Sequence, residues 1–281
     1  MTNGREWRQT RRFCGRGTGA DRFSQALRGI AVDGAGTVYA VGDAAVRVFT
    51  AEGVLLRRWP TSLPGHAVAV SGDGRVWVGQ SGQVEIYDAG GSLTESWRLP
   101  ELGLVTAIAH RDGDVFLADA GVRWIRHLDG EGRLLNNIGD RHRKGGFHIP
   151  NGVVDFALDA QGTLHVANPG MHRVERYRPN GELLGHFGRF DGRDPQGFPG
   201  CCNPTNVALD GAGRVIVTEK AGPRVKMYDP AGTLLGVVAD EGFEPEARNM
   251  DVQVDAEGRI YVADTVSLSI VVFAPAERGV A

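Results

Sequence analysis

Apolar residues along this chain fall in short runs, and the segments between them are rich in glycine, asparagine and aspartate. The clearest unit is Asn151–Leu184, NGVVDFALDAQGTLHVANPGMHRVERYRPNGELL. VVDFAL runs to Asp159 and turns through Ala160, Gln161 and Gly162; TLHVA follows and ends in Asn168, Pro169 and Gly170. RVERY then turns through Arg178, Pro179, Asn180 and Gly181 into ELLGHF. Apolar runs with β-forming residues, separated by Gly and Asn-Gly turns, are the pattern of antiparallel strands joined by tight turns. The unit predicts a four-stranded meander.

Five degraded copies of this unit make up most of the rest. Their turn glycines are Gly36, Gly74, Gly113, Gly162, Gly213 and Gly258, at intervals of 38, 39, 49, 51 and 45 residues by subtraction. A small four-stranded sheet buries both faces only when neighbours cover them, so repeats of this length indicate propeller blades. The prediction is an all-β, six-bladed β-propeller of four-stranded antiparallel blades forming one domain over 1–281. Blade cores fall near 29–60, 67–100, 106–139, 152–188, 206–239 and 250–273. The last copy, RIYVADTVSLSIVVFAP, has three strands and runs out at Glu277 to Ala281. Residues 6–13, with Trp7 to Phe13 reading as an outer strand, are expected to supply the missing strand, closing the ring and removing two exposed sheet edges.

The inner copies read GIAVDGAGTVYAVG, AVAVSGDGRVWVGQ, TAIAHRDGDVFLAD, DFALDAQGTLHVAN, NVALDGAGRVIVTE and DVQVDAEGRIYVAD, followed by stretches such as HRVERYRPNGELL and PRVKMYDPAGTLL. Over nearly the whole chain this resembles the NHL-repeat family of β-propellers. The resemblance implies the fold; related propellers include lyases, lactone hydrolases, scaffolds and RNA or protein binders, so function must come from the site.

Composition narrows the classes. The 41 glycines and 7% aromatic residues suit many short strands and turns. A net charge of −3, from 31 basic and 34 acidic residues, argues against nucleic acid as a partner, which requires a strongly basic face. No apolar run is long enough for a membrane span, and no apolar h-region follows the N-terminal arginines. Three cysteines, an odd number, do not form a disulfide framework and suit a reducing compartment. A cytoplasmic location is expected.

By strand alternation, the connectors from outer to inner strands and the loops between second and third strands share one face. The long connectors there, Arg16–Arg28, Asp140–Asn151, Arg189–Asn206 and Ala239–Asn249, flank mainly blades four to six, and long loops on a rigid scaffold are where sites are built. Aligned at the mouth of each inner strand are Gly29, Ala67, Thr106, Asp155, Asn206 and Asp251. The Asp155–Asn206–Asp251 arc is a candidate set for a hard cation such as calcium, or for orienting a polar substrate; capping of backbone amides is the bland alternative. A second ring, at the ends of the second strands, is Gly42, Gln80, Asp119, Asn168, Glu219 and Asp264. Glu219 is its least repeat-like member and a candidate acid or base, with Lys220 as counter-charge.

The strongest irregularity is PQGFPGCCNPTN, Pro195 to Asn206. A vicinal disulfide between Cys201 and Cys202 is disfavoured, because successive Cα atoms lie about 3.8 Å apart and ordinary disulfides need about 4.4–6.8 Å. In an extended segment one cysteine would face the site and the other pack inward. With Cys14 on the same face, the thiols offer a soft site for zinc or copper, completed by His148 or His172, if the long loops fold over the mouth; buried small hydrophobes are the alternative. His142, His148, His172 and His66 fall on the connector face, and His148 is the favoured base or ligand. The resemblance gives His172, Arg173 and Arg224 a repeat role, with substrate contact as the functional alternative.

The chain is therefore read as an enzyme of lyase, cyclase or hydrolase type. It acts on a small polar or natural-product-like molecule, with Asn206, His172, Arg173, Arg224 and Lys220 in substrate contact. In a metal version, a cation polarises the substrate while His148 or Glu219 moves the proton. In a thiol version, Cys201 or Cys202 is the nucleophile and His148 its base. The rival reading is a non-catalytic module binding a peptide or partner protein across the same face.

Overall fold

The computed structural model describes residues 7–140 and 145–276. The turn glycines do the work the repeat implies: Gly36, Gly74, Gly113, Gly162, Gly213 and Gly258 all have φ between +74° and +90°, a region L side chains seldom adopt. In four of the blades an aspartate opens this turn and its carboxylate accepts the amides two and four residues on. Asp159 accepts from Gln161 and Thr163 at 2.9 and 2.8 Å.

Each turn folds an inner strand onto a second one, and the meander follows. In blade four the strands are Asp155–Leu158, Leu164–Asn168, Arg173–Tyr177 and Leu183–Phe187, hydrogen-bonded in that order and antiparallel. Six such sheets form the molecule, and the inner strand of each touches that of the next until the sixth meets the first. The chain is thus a six-bladed β-propeller of four-stranded antiparallel blades. Its only helical element among the described residues is a 3-10 turn, Pro169–Met171, and no helix is long and apolar enough to cross a membrane.

The core is distributed. Six apolar clusters lie between adjacent blades, such as Ala107, Phe116, Ile138, Phe156 and Val166 between blades three and four, so each sheet has both faces covered by its neighbours. Fully burying one such side chain contributes about 1.5–3 kcal/mol.

Closure is as expected. Trp7–Cys14 pairs antiparallel with Ser269–Pro275, running from Trp7 opposite Pro275 to Cys14 opposite Ser269. Arg12 locks this strand by donating to Ser269 Oγ at 2.8 Å and to the Gly242 carbonyl. Phe13 reaches across to blade one and packs against Phe49 at 5.3 Å between ring centroids. Gly53 makes room for it, since a Cβ there would lie 2.5 Å from Phe13.

Candidate functional site

The inner-strand ring is a set of inter-blade hydrogen bonds. Asp155 Oδ2 accepts the amide of Val207 at 2.8 Å, tying blade four to blade five. Asp251 accepts the amide of Ile30 at 2.7 Å, tying blade six to blade one, and that of Val252 at 2.8 Å. Thr106 donates to the Val154 carbonyl at 2.6 Å, from blade three to blade four. Asp155 is buried and Asp251 half-buried. Desolvation raises Asp251 to about 7, and desolvation followed by the charge of Asp251 raises Asp155 well above the usual carboxylate range. The Asn206 Oδ1, in a residue only 4% exposed, has no hydrogen-bond partner.

This arrangement does not fit the expected hard cation. Calcium takes about six to eight oxygens, several of them charged, whereas here the carboxylates are occupied by backbone amides. Among the described residues no group of three His, Cys, Asp or Glu side chains could hold a metal. The amide-capping alternative describes Asp155 and Asp251.

Above the ring, on the connector face, opens a cavity of about 450 Å³ that receives residues from every blade: Arg28, His66, Thr106, Asn151, Asn206 and Arg248. Its lining is drawn from all six blades, whereas the connector lengths point toward blades four to six. Arg28 and Arg248 are exposed and have no carboxylate partner among the described residues. Asn151 donates to Asn249 Oδ1 at 2.5 Å, leaving its own Oδ1 buried without a partner. Burial, and secondarily the charge of Arg28, lowers His66 to about 4, so its imidazole is neutral at neutral pH. Two cations without a carboxylate partner among the described residues and one neutral imidazole thus share a single cavity, while the unpartnered oxygens of Asn151 and Asn206 are themselves buried. The exposed cations match a small molecule carrying an anionic group.

Alignment on the mouth positions misses these groups by one residue. Arg28 and His66 directly precede Gly29 and Ala67, where the other blades carry Val105, Thr205, Val154 and Met250. Polarity in the first two blades is therefore present, but displaced.

A larger groove, of about 830 Å³, runs between blades four and five on the opposite face, past Asp159, His165 and Asp210. Its acidic groups are committed: Asp159 faces His165 Nε2 at 3.3 Å, and Asp210 pairs with Arg214 at 2.5 Å.

The second ring is structural in a specific way in four blades, because there the third strand answers the second. Amides face carboxylates in blades two and four, Gln80 with Glu85 at 3.0 Å and Asn168 with Glu175 at 3.2 Å. Carboxylates face cations in blades three and five, Asp119 with Arg126 at 2.9 Å and Glu219 with Lys226 at 2.7 Å. Glu219 is fully buried and also held by Arg224 at 2.6 Å, so it is a closed ion pair and not a free acid or base. Arg173 does the same for Glu175 at 2.5 Å; both arginines serve their blades. Lys226 was not legible as important: it also donates to the carbonyls of Pro195 and Gly197 at 2.9 and 2.6 Å, pinning the long connector onto blade five.

The remaining candidates lie outside the mouth. The His148 amide donates to Asn168 Oδ1 at 3.2 Å, and its ring covers Gly170, where a Cβ would lie 2.3 Å from Nδ1. His172 sits nearby, edge-on to Phe190 at 5.1 Å between centroids, its pKa lowered first by burial. His142 lies outside the described residues. Cys14 hydrogen-bonds the Leu268 carbonyl at 3.4 Å, and burial pushes its thiol up to about 11. Cys201 and Cys202 lie beside Lys220, so the structure does not assemble a three-thiolate site for zinc or copper. One cysteine is exposed and the other buried, but the chain bends here and brings the two sulfurs to 3.0 Å. The Asn203 side chain holds the bend, donating to the Pro199 and Lys220 carbonyls at 2.8 and 3.0 Å and accepting the Lys220 amide at 2.8 Å.

No protein-family model and no curated protein matches the chain. Among solved structures it is similar to virginiamycin B lyase from Staphylococcus aureus, at 12% identity over 96% of this chain and 99% of that one, with a TM-score of 0.64. A catalytically inactive histidine-to-alanine variant of that lyase with quinupristin gives a TM-score of 0.66 at 13% identity, over 96% and 99% of the two chains. A protein of unknown function from Bacteroides thetaiotaomicron gives 0.67 at 16% identity, over 97% of this chain and 73% of that one. These likenesses show the six-bladed fold.

Proposed function

We propose that the protein is an enzyme of the lyase or hydrolase type, built on NHL-like blades. It binds a small, polar, carboxylate-bearing molecule in the channel mouth and uses His66 as general base. The observation that carries this reading is a neutral imidazole sharing one cavity with two exposed arginines that have no carboxylate partner among the described residues. Virginiamycin B lyase, a neighbour in fold, supports it by analogy: its inactive variant lacks one histidine.

Arg28 and Arg248 take the carboxylate and fix the orientation of the molecule beside His66. Binding also readies the base. An anion paired with Arg28 offsets the positive charge that helps depress His66, so the imidazole gains proton affinity when substrate is present. It then removes a proton beside the anionic group, and the arginines stabilise the charge that develops. The cysteine and metal routes find no support in this cavity.

The test is turnover of a panel of hydroxy- and amino-carboxylates, followed by NMR, with wild type and His66→Ala. The expected result is a fall in kcat of about 10²–10⁴-fold with binding retained. Unchanged turnover in His66→Ala removes the assignment, and binding without turnover in the wild type favours a non-catalytic module.

A further inference from the structure

The cysteine pair has no part in the channel mouth, and its geometry is chemical. Both thiols are free, with Cys201 exposed, Cys202 buried and the sulfurs 3.0 Å apart across a bend held by the Asn203 side chain. We propose that Cys201 and Cys202 form a reversible redox site that is oxidised to a vicinal disulfide by small-molecule disulfides. This inference is independent of the reading of the mouth.

The chemistry follows from the asymmetry. The hydrogen bond that Cys202 donates to Cys201, with the charge of Lys220 behind it, shifts the exposed Cys201 thiol down, while desolvation and then the same hydrogen bond shift the buried Cys202 up. Cys201, as thiolate, attacks one sulfur of the disulfide, forming a mixed disulfide and releasing one thiolate. Cys202 loses its proton to solvent and attacks the Cys201 sulfur, closing the intrachain bond and releasing the second thiolate. Two protein thiols are oxidised and one disulfide is reduced to two thiols.

An extended chain would separate the two sulfurs; the bend removes that obstacle. The short Cα separation remains, about 3.8 Å against the 4.4–6.8 Å of ordinary disulfides, so the closed form is strained and readily reduced. Strained, exposed disulfides are the labile ones. The site is therefore a switchable couple and not a structural crosslink. The bend also leads within a few residues to Asn206 at the channel mouth.

The experiment treats the folded full chain with oxidised glutathione, alkylates the remaining thiols and maps the peptides by mass. The expected wild-type product is a Cys201–Cys202 peptide lighter by two hydrogens, carrying neither glutathione nor alkyl group, and restored by dithiothreitol. Cys202→Ser is expected to stop at a stable glutathione adduct on Cys201, and Cys201→Ser to leave Cys202 unreacted. Wild type that retains glutathione on Cys201, crosslinks between chains, or emerges with both thiols alkylated overturns the proposal.

Discussion

Lys226 Nζ stands 2.7 Å from Glu219 Oε1, and neither side chain is exposed to solvent. A buried cation needs both a counter-charge and hydrogen-bond acceptors, and Lys226 finds the latter in the carbonyls of Pro195 and Gly197. The pair thus couples blade five to the connector that carries the cysteines.

Lys226→Met leaves Glu219 with Arg224 alone and strips the connector of its anchor. The expected loss is about 3 kcal/mol, at the lower end for removing one member of a buried pair. Adding Glu219→Gln recovers part of it, because the buried charge that lost a partner is gone while the connector's anchor stays lost. Urea unfolding of the two variants checks this, and limited proteolysis should cut the single variant between Arg189 and Asn206.

Deleting residues 1–14 exposes the edge of Ser269–Pro275 along its length and removes the Phe13–Phe49 contact. The expected result is a lower thermal midpoint and soluble aggregates on size exclusion, since a bare sheet edge templates further pairing.

The ring of blades was legible because each depends on local turn chemistry repeated six times, down to the positive φ at every turn glycine. Asp155, Asn206 and Asp251 were legible as ring members for the same reason, since register places equivalent residues at equivalent heights. Their chemistry was not: whether Asp155 meets a cation or the Val207 amide depends on the next blade. The answering pairs, such as Glu219 with Lys226, were hidden because complementarity between strands has no fixed sign across blades. Arg248 sits in a long connector, whose path no periodicity determines.

Asp251 and Asp155 give the stability a pH dependence. Their folded pKa values are raised above the unfolded ones, so the folded protein binds more protons, and the contribution to stability is full below about pH 3.8 and lost as pH rises through about 7 for Asp251. Unfolding free energy should therefore contain a component that declines from pH 5 to pH 8. Chemical denaturation across that range checks it, with Asp155→Asn expected to flatten the slope.

His66 should titrate near 4 in the wild type. Because burial is the larger cause and Arg28 the smaller, Arg28→Ala should raise the value only part of the way toward 6.5. A saturating carboxylate ligand should raise it in the wild type as well. Carbon-detected NMR titration of the imidazole reads both shifts.

The most direct test of the channel mouth as a binding site is an NMR titration of the labelled protein with citrate as probe, in wild type and Arg248→Ala. The expected result is perturbed side-chain amide signals of Asn151, Asn206 and Asn249, and binding weakened at least tenfold in the variant, about 1.4 kcal/mol. Perturbations confined to the opposite face or to the cysteine connector, or equal affinity in both proteins, would contradict the assignment.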